Sequence, residues 1–153
     1  MSIYTANVIW KRGKQAFTDN KYSRAHTWIF DGGCEIPASP SPHIVPLPYS
    51  VEENVDPEEA FIASLSSCHM LFFLSIAAKK KLLIDSYDDN AIGILEENSQ
   101  DQLVMTKITL DPKIIFSNKQ PSKEEIQKMH HLAHQQCFLA NSVKTEITVK
   151  GMN

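Results

Sequence analysis

The chain is poor in the features by which many protein classes announce themselves. Its five glycines form no phosphate-cradling loop, and no segment repeats, so neither a nucleotide-phosphate cradle nor a repeat array is indicated. Positive charge is not in excess. Fifteen Lys and Arg face eighteen Asp and Glu, giving a net charge of −3, and the two signs are interleaved, which leaves no nucleic-acid footprint. The short run Lys79-Lys80-Lys81 reads as the solvated end of a helix rather than a phosphate patch. The longest apolar stretch, around Met70 to Ala78, is too short and interrupted to suggest a membrane span. Met1-Ser-Ile-Tyr-Thr-Ala-Asn7 lacks a basic region followed by an apolar one, so no secretory signal is expected. Three cysteines make an odd count that argues against a secreted disulfide framework and for a cytoplasmic chain with free or catalytic thiols.

What remains is an ordinary globular composition, 42% hydrophobic and 22% charged over 153 residues, most simply one domain spanning 1–153. Ile3 to Trp10 and Tyr22 to Phe30 are rich in β-branched and aromatic residues and read as strands joined through a polar turn at Thr18–Lys21. Asp31-Gly-Gly33 stops the second. From Ile36 to Ser50 the chain carries Pro37, Pro40, Pro42, Pro46 and Pro48. Prolines lack the donor that a central strand needs, so an extended loop is expected, anchored by Ile44, Val45, Leu47 and Tyr49.

A helix then starts at Asp56 as N-cap, with Pro57 at its first position and Glu58 and Glu59 in its first turn, and is predicted to reach about Leu82. Apolar residues cover nearly all its faces, the pattern of a buried helix. In so small a domain that implies cover from a second subunit. Ala91–Glu96 and Leu103–Phe116 alternate like strands about a turn at Asn98–Asp101, with Asp111-Pro112 as an interruption. Ser122-Lys-Glu-Glu125 is a capping box opening a second helix that ends near Cys137, and Val143–Val149 reads as a closing strand. The order is α+β, not doubly wound α/β.

The chemistry-bearing residues are the cysteines and what surrounds them. Cys68 closes Asp56-Pro-Glu-Glu-Ala-Phe-Ile-Ala-Ser-Leu-Ser-Ser-Cys68, where small residues permit close approach by a backbone or a substrate. A thiol there is either a small buried hydrophobe or a nucleophile whose thiolate needs a neighbouring cation. Lys11, Arg12, Lys14 and Arg24 are the N-terminal cations available. Glu58 lies ten residues before Cys68, about 15 Å along a straight helix. It therefore acts either on the helix N-terminus or on another element. Cys137 follows His134 by three positions on one helix face, a possible nucleophile–base pair. His69 adjoins Cys68 but points elsewhere on the helix. His130, His131 and His134 match no zinc spacing, and a half-exposed helix face explains them better than a metal site shared with Cys68. Cys34 reads as an incidental thiol.

These residues resemble the OsmC/Ohr family, the osmotically inducible and organic-hydroperoxide-resistance proteins. The resemblance runs from about Phe30 to Val149. One carrier is the Asp56–Cys68 segment, similar to the family's Asn-Pro-Glu helix start with its cysteine. The other is Ala133-His-Gln-Gln-Cys137-Phe-Leu-Ala-Asn-Ser142, similar to its second cysteine region. It implies antiparallel sheets around two helices, the first long and central, in an intertwined homodimer. It also implies a peroxidase for organic hydroperoxides, with Cys68 peroxidatic and Cys137 resolving through a mutual disulfide, and an external dithiol, lipoyl-type in some members, as reductant. No cofactor, metal, nucleic acid or membrane is implied.

Glu58 matches the family's acidic residue that orients an arginine beside the sulfur. The arginine itself departs from the pattern, because the proline loop holds none. Arg24 is the preferred substitute, Arg12 the second, and His43 a partial one. Phe138 stands where many members have proline. Phe61, Leu65, Phe72 and Phe138 would favour apolar peroxides. The competing expectations are a dimer that binds a small apolar ligand beneath the proline loop without catalysis, and a Cys/His metal protein.

Overall fold

The computed structural model describes residues 1–151, which fall into two compact units, Met1–Ala60 and the described residues from Phe61 onward. The first holds an antiparallel sheet ordered β1 (Ala6–Ile9), β2 (His26–Phe30), β3 (Glu35–Ala38). Both expected strands are shorter than their apolar stretches. Trp10 and Tyr22 leave the ladder and cluster with Phe17, at ring-centroid distances of 4.7 to 5.8 Å. Gly33, at φ +85°, turns β2 into β3, a conformation that suits glycine. Strand β3 was expected to be loop. It lies at the sheet edge, where the missing N–H of Pro37 costs least.

The remaining proline segment is ordered by hydrogen bonds rather than by a ladder. Val51 N–H donates to Ser39 Oγ at 2.8 Å, Asn54 Nδ2 to the Ala38 carbonyl at 3.2 Å and Val55 N–H to the Pro37 carbonyl at 3.1 Å. Helix α1 (Pro57–Lys79) begins as its sequence specifies. Glu59 N–H donates to the Asp56 carboxylate at 2.7 Å, and Glu59 Oε2 accepts from Asp56 N–H at 3.2 Å. That reciprocal pair satisfies orphan donors of the first turn.

In the second unit, α1 is followed by β4 (Ile84–Asp89), β5 (Ile92–Glu97), β6 (Leu103–Leu110), β7 (Pro112–Phe116), α2 (Lys123–Gln136), a 3-10 turn (Ala140–Ser142) and β8 (Glu146–Val149). Strands β4 and β7 pair as one antiparallel sheet. The other is ordered β5-β6-β8, antiparallel between β5 and β6 and parallel between β6 and β8. The fold is α+β with mixed sheets. Strand β4 had no sequence expectation, because Asp85, Asp88 and Asp89 break the apolar alternation. The Asp111-Pro112 interruption is a true boundary, where Asp111 N–H donates to Asp89 Oδ1 at 2.7 Å while Ser66 Oγ donates to Asp89 Oδ2.

Two clusters form the core. Leu65 of α1 packs on Ile108 and Leu110 of β6, whereas Phe73, Ile76 and Ala77 pack on Met129 and Ala133 of α2. Leu65, His69, Phe73, Ile76 and Ala77 form one buried stripe of α1. Burial is thus confined to one stripe, against the expectation of a helix buried all round, and Leu71 is 60% exposed. One sequence reading needs correction. An 18-residue window of α1 reaches a mean hydropathy of 1.8, so by length and composition the helix is long and apolar enough to cross a membrane. The serines among its apolar residues had made that run look shorter. Its buried stripe is equally what a core helix presents.

Replacing Asp56 with Ala is expected to cost about 1 kcal/mol of folding stability, and Asp56→Asn much less. Denaturant titration of the two variants beside the parent checks this, and equal losses would contradict the capping role.

Candidate functional site

Cys68 and Cys137 are brought together by the helices that carry them. Cys68 lies on α1 between Leu65 of one core cluster and Phe73 of the other, so its helix is held firmly on both sides of it. Cys137 is the C-cap residue of α2, in extended conformation at φ −67° and ψ 111°, and its N–H donates to the Ala133 carbonyl at 3.0 Å. The chain then turns through Ala140–Ser142. Ala140 N–H donates to Cys137 Sγ at 3.4 Å, Asn141 N–H to the Cys137 carbonyl at 3.1 Å, and Ser142 Oγ to the Phe138 carbonyl at 2.7 Å. The motif Cys137-Phe-Leu-Ala-Asn-Ser142 is therefore a clamp on the sulfur.

The result is a thiol pair with Cys137 Sγ 2.7 Å from Cys68 Sγ, Cys137 donating. The two sulfurs differ in setting. Cys68 is half-buried, Cys137 fully buried and Cys34 exposed. Burial first, and then the hydrogen bond to Cys68, pushes the Cys137 thiol up to about 11. At neutral pH it is thus a protonated donor. Phe138 is exposed, yet its ring meets Phe72 edge-on at 5.1 Å, which supplies apolar surface at this end of α2.

The other expected site residues lie in the N-terminal unit. Arg24 spends its guanidinium on its own loop, Nη1 donating to the Tyr22 carbonyl at 2.7 Å and Nη2 to Asn20 Oδ1 at 2.6 Å, and it stacks on Tyr22 at 3.9 Å. Arg12 similarly donates to the Gln15 carbonyl at 2.8 Å. Glu58 forms no ion pair among the described residues, and its Oε2 is buried without a partner. His43 is an exposed turn residue whose N–H donates to Ser41 Oγ at 3.2 Å. A cavity of about 490 Å³ in this unit is lined by Trp10, Phe17, Tyr22, Arg24 and His26.

The histidines of α2 do not share one environment. His131 is exposed and lies 3.1 Å from Gln135, whereas His130 is buried against His69, with 2.9 Å between His69 Nε2 and His130 Nδ1. The sequence reading missed that pair. Its signal was the stripe Met129, Ala133, Cys137, which puts His130 at the edge of the buried face. Burial, followed by His130 and His134, lowers His69 to about 4, and burial lowers His130 to about 4. Among the described residues, no three His, Cys, Asp or Glu are grouped to hold a metal ion.

These elements define a two-thiol protein of α+β fold. Residues 51–151 match the family model for OsmC-like protein, and the chain belongs to that family. It is similar, at 60% identity and TM-score 0.96 over 98% of this chain and 99% of the other, to an OsmC-like protein of unknown function from Vibrio cholerae. At 14% identity and TM-score 0.68, over 97% and 98% of the two chains, its fold matches an organic hydroperoxide resistance protein OsmC from Legionella pneumophila. An organic hydroperoxide resistance protein from Elizabethkingia anophelis matches at 18% identity and TM-score 0.68, over 97% and 96%. No curated protein sequence matches the chain.

Two outcomes are expected. In the reduced protein, iodoacetamide should modify Cys34 first and Cys137 at least about tenfold more slowly than Cys34 until the fold is opened; equal labelling by mass spectrometry would contradict the burial order. The folded-state values of about 4 for His69 and His130 lie below the ordinary 6.5. The unfolded chain therefore binds more protons between those values. The histidine contribution should be complete above pH 6.5 and lost as pH falls towards 4, by roughly a few kcal/mol. Denaturation midpoints across that range read it directly, and a stability unchanged by His69→Gln in its pH slope would contradict it.

Proposed function

We propose that the protein is a thiol-dependent peroxidase for organic hydroperoxides. The observation that carries this reading is the contact between a half-buried Cys68 and a fully buried Cys137 at 2.7 Å. A peroxide has access to the first sulfur rather than the second. The Cys68 thiolate takes the terminal OH of ROOH, leaving sulfenic acid on Cys68 and an alkoxide that is protonated to the alcohol. Cys137 then attacks the Cys68 sulfur. An S–S bond forms, the S–OH bond breaks, and the hydroxide leaves as water with the Cys137 proton. An external dithiol, lipoyl-type in this reading, reduces the disulfide and is itself oxidised to a cyclic disulfide. The chemistry uses no cofactor.

The family resemblance and the fold shared with organic hydroperoxide resistance proteins support the same reading. Phe72 and Phe138 favour alkyl substrates over hydrogen peroxide. The buried unpartnered oxygen of Glu58 suits a cation, and Arg24 remains the preferred one, with Arg12 second. Leu71, 60% exposed on a face of α1 that otherwise carries the small residues Ser64, Ser67 and Ser75, supports a homodimer, and the thiol chemistry supports a cytoplasmic setting. The second reading, a non-catalytic apolar-ligand protein, is favoured by the aromatic cavity of about 490 Å³ with Arg24 on its wall.

With dithiol reductant, cumene hydroperoxide should be consumed faster than hydrogen peroxide, and Cys68→Ser should lower the rate at least about a hundredfold. A faster reaction with hydrogen peroxide would overturn the substrate class. Undiminished consumption by Cys68→Ser would overturn the peroxidase.

A further inference from the structure

One polar pair at the heart of the C-terminal unit has no part in the chemistry proposed above. His69 immediately follows Cys68 on α1, and His130 stands seven residues before Cys137 on α2. Nε2 of His69 lies 2.9 Å from Nδ1 of His130. The rings are near-parallel at 11°, with centroids 5.2 Å apart, and Phe73 covers His130 at 4.3 Å. The two residues are only 2% and 3% exposed. Two polar side chains in an otherwise apolar seam are an expense that Leu and Phe in their place would avoid.

We propose that the His69–His130 hydrogen bond is a positioning element for the Cys68–Cys137 couple, locking the turn of α1 that carries one sulfur to the helix that delivers the other. The proposal rests on the two-cysteine reading of the site, although not on peroxide as its oxidant. An apolar seam allows helices to slide and re-register at little cost, because apolar contact is non-directional. A buried hydrogen bond between fixed ring atoms does not, since displacement strands both polar groups. Its level along the helices matters as well. The bond joins α1 one residue beyond Cys68, so rotation or sliding of α1 against α2 is resisted next to the sulfur it would displace.

The pair also has a definite protonation state. Burial favours neutral rings, and in that state one facing nitrogen carries the proton while the other accepts it. His69 Nδ1 is buried without a partner. An orphaned acceptor is more tolerable than an orphaned N–H, so the proton belongs on His69 Nε2, donating to His130 Nδ1. His130 Nε2–H then turns to the cavities that His130 lines. Around those cavities the titratable side chains are Lys128, His131, His134 and Lys150, with no carboxylate among the lining residues. Nothing there would stabilise an imidazolium, so the bond persists as a neutral one.

The test is the effective concentration of the thiol pair in the full chain carrying Cys34→Ser. Equilibration with glutathione couples two protein thiols plus one glutathione disulfide to one protein disulfide plus two glutathiones, and the ratio is read by mass. Gln at 69 and Asn at 130 place amide atoms near the ring nitrogens they replace. His69→Gln, His130→Asn and their combination should stay within about threefold of the parent. His69→Leu and His130→Leu should lose about tenfold or more, as one buried hydrogen bond of about 1.4 kcal/mol requires. Leucine variants unchanged within twofold would overturn the proposal. So would amide variants that lose tenfold, and these carry the test alone if the leucine variants do not fold. A parent protein that closes its disulfide in glutathione yet consumes no hydroperoxide would sink the peroxidase and leave the positioning role standing.

Discussion

The packing of α1 against α2 is the constraint on which the site depends. Phe73, Ile76 and Ala77 from one helix and Met129 and Ala133 from the other build the seam, and each large side chain buried there contributes roughly 1.5–3 kcal/mol. The thiols lie alongside this core. Cys68 is anchored on one side by the α1–β6 cluster and on the other by the seam, while Cys137 inherits its place from the last turn of α2. Their 2.7 Å separation is therefore a property of helix packing and not of a mobile loop. A redox pair needs that arrangement, because disulfide closure requires the two sulfurs to meet without large backbone movement.

The asymmetry of the pair follows from the same packing. Ending α2 at the seam buries Cys137 completely and leaves it protonated, whereas Cys68 keeps partial access to solvent. Under the proposed peroxidase reading, this difference assigns the order of events. The accessible sulfur meets the oxidant, and the buried one responds afterwards.

Local signals in the sequence carried far. Asp56 with Glu59 and Ser122 with Glu125 marked both helix starts, and each makes the hydrogen bond its spacing implies. The Asn98–Asp101 turn and the Asp111-Pro112 break also read correctly, as did the resemblance to the family whose model matches residues 51–151. What escaped was non-local. Strand β3 exists because Thr27 and Trp28 pair with it across a hairpin despite Pro37. Strand β4 is held by β7 despite three aspartates. The His69–His130 pair joins residues 61 positions apart on two helices, so no local spacing marks it. The activating arginine has no local signal either. Arg24 and Arg12 are both engaged with their own loops, and Glu58 keeps a buried oxygen without a partner.

The most direct test of the central claim is a single turnover of the reduced protein with one equivalent of an organic hydroperoxide, quenched and mapped by peptide mass. The account predicts a rapid disulfide between Cys68 and Cys137, replaced in Cys137→Ser by sulfenic or further oxidised Cys68. Slow, unselective oxidation, or oxidation centred on Cys34, would contradict it.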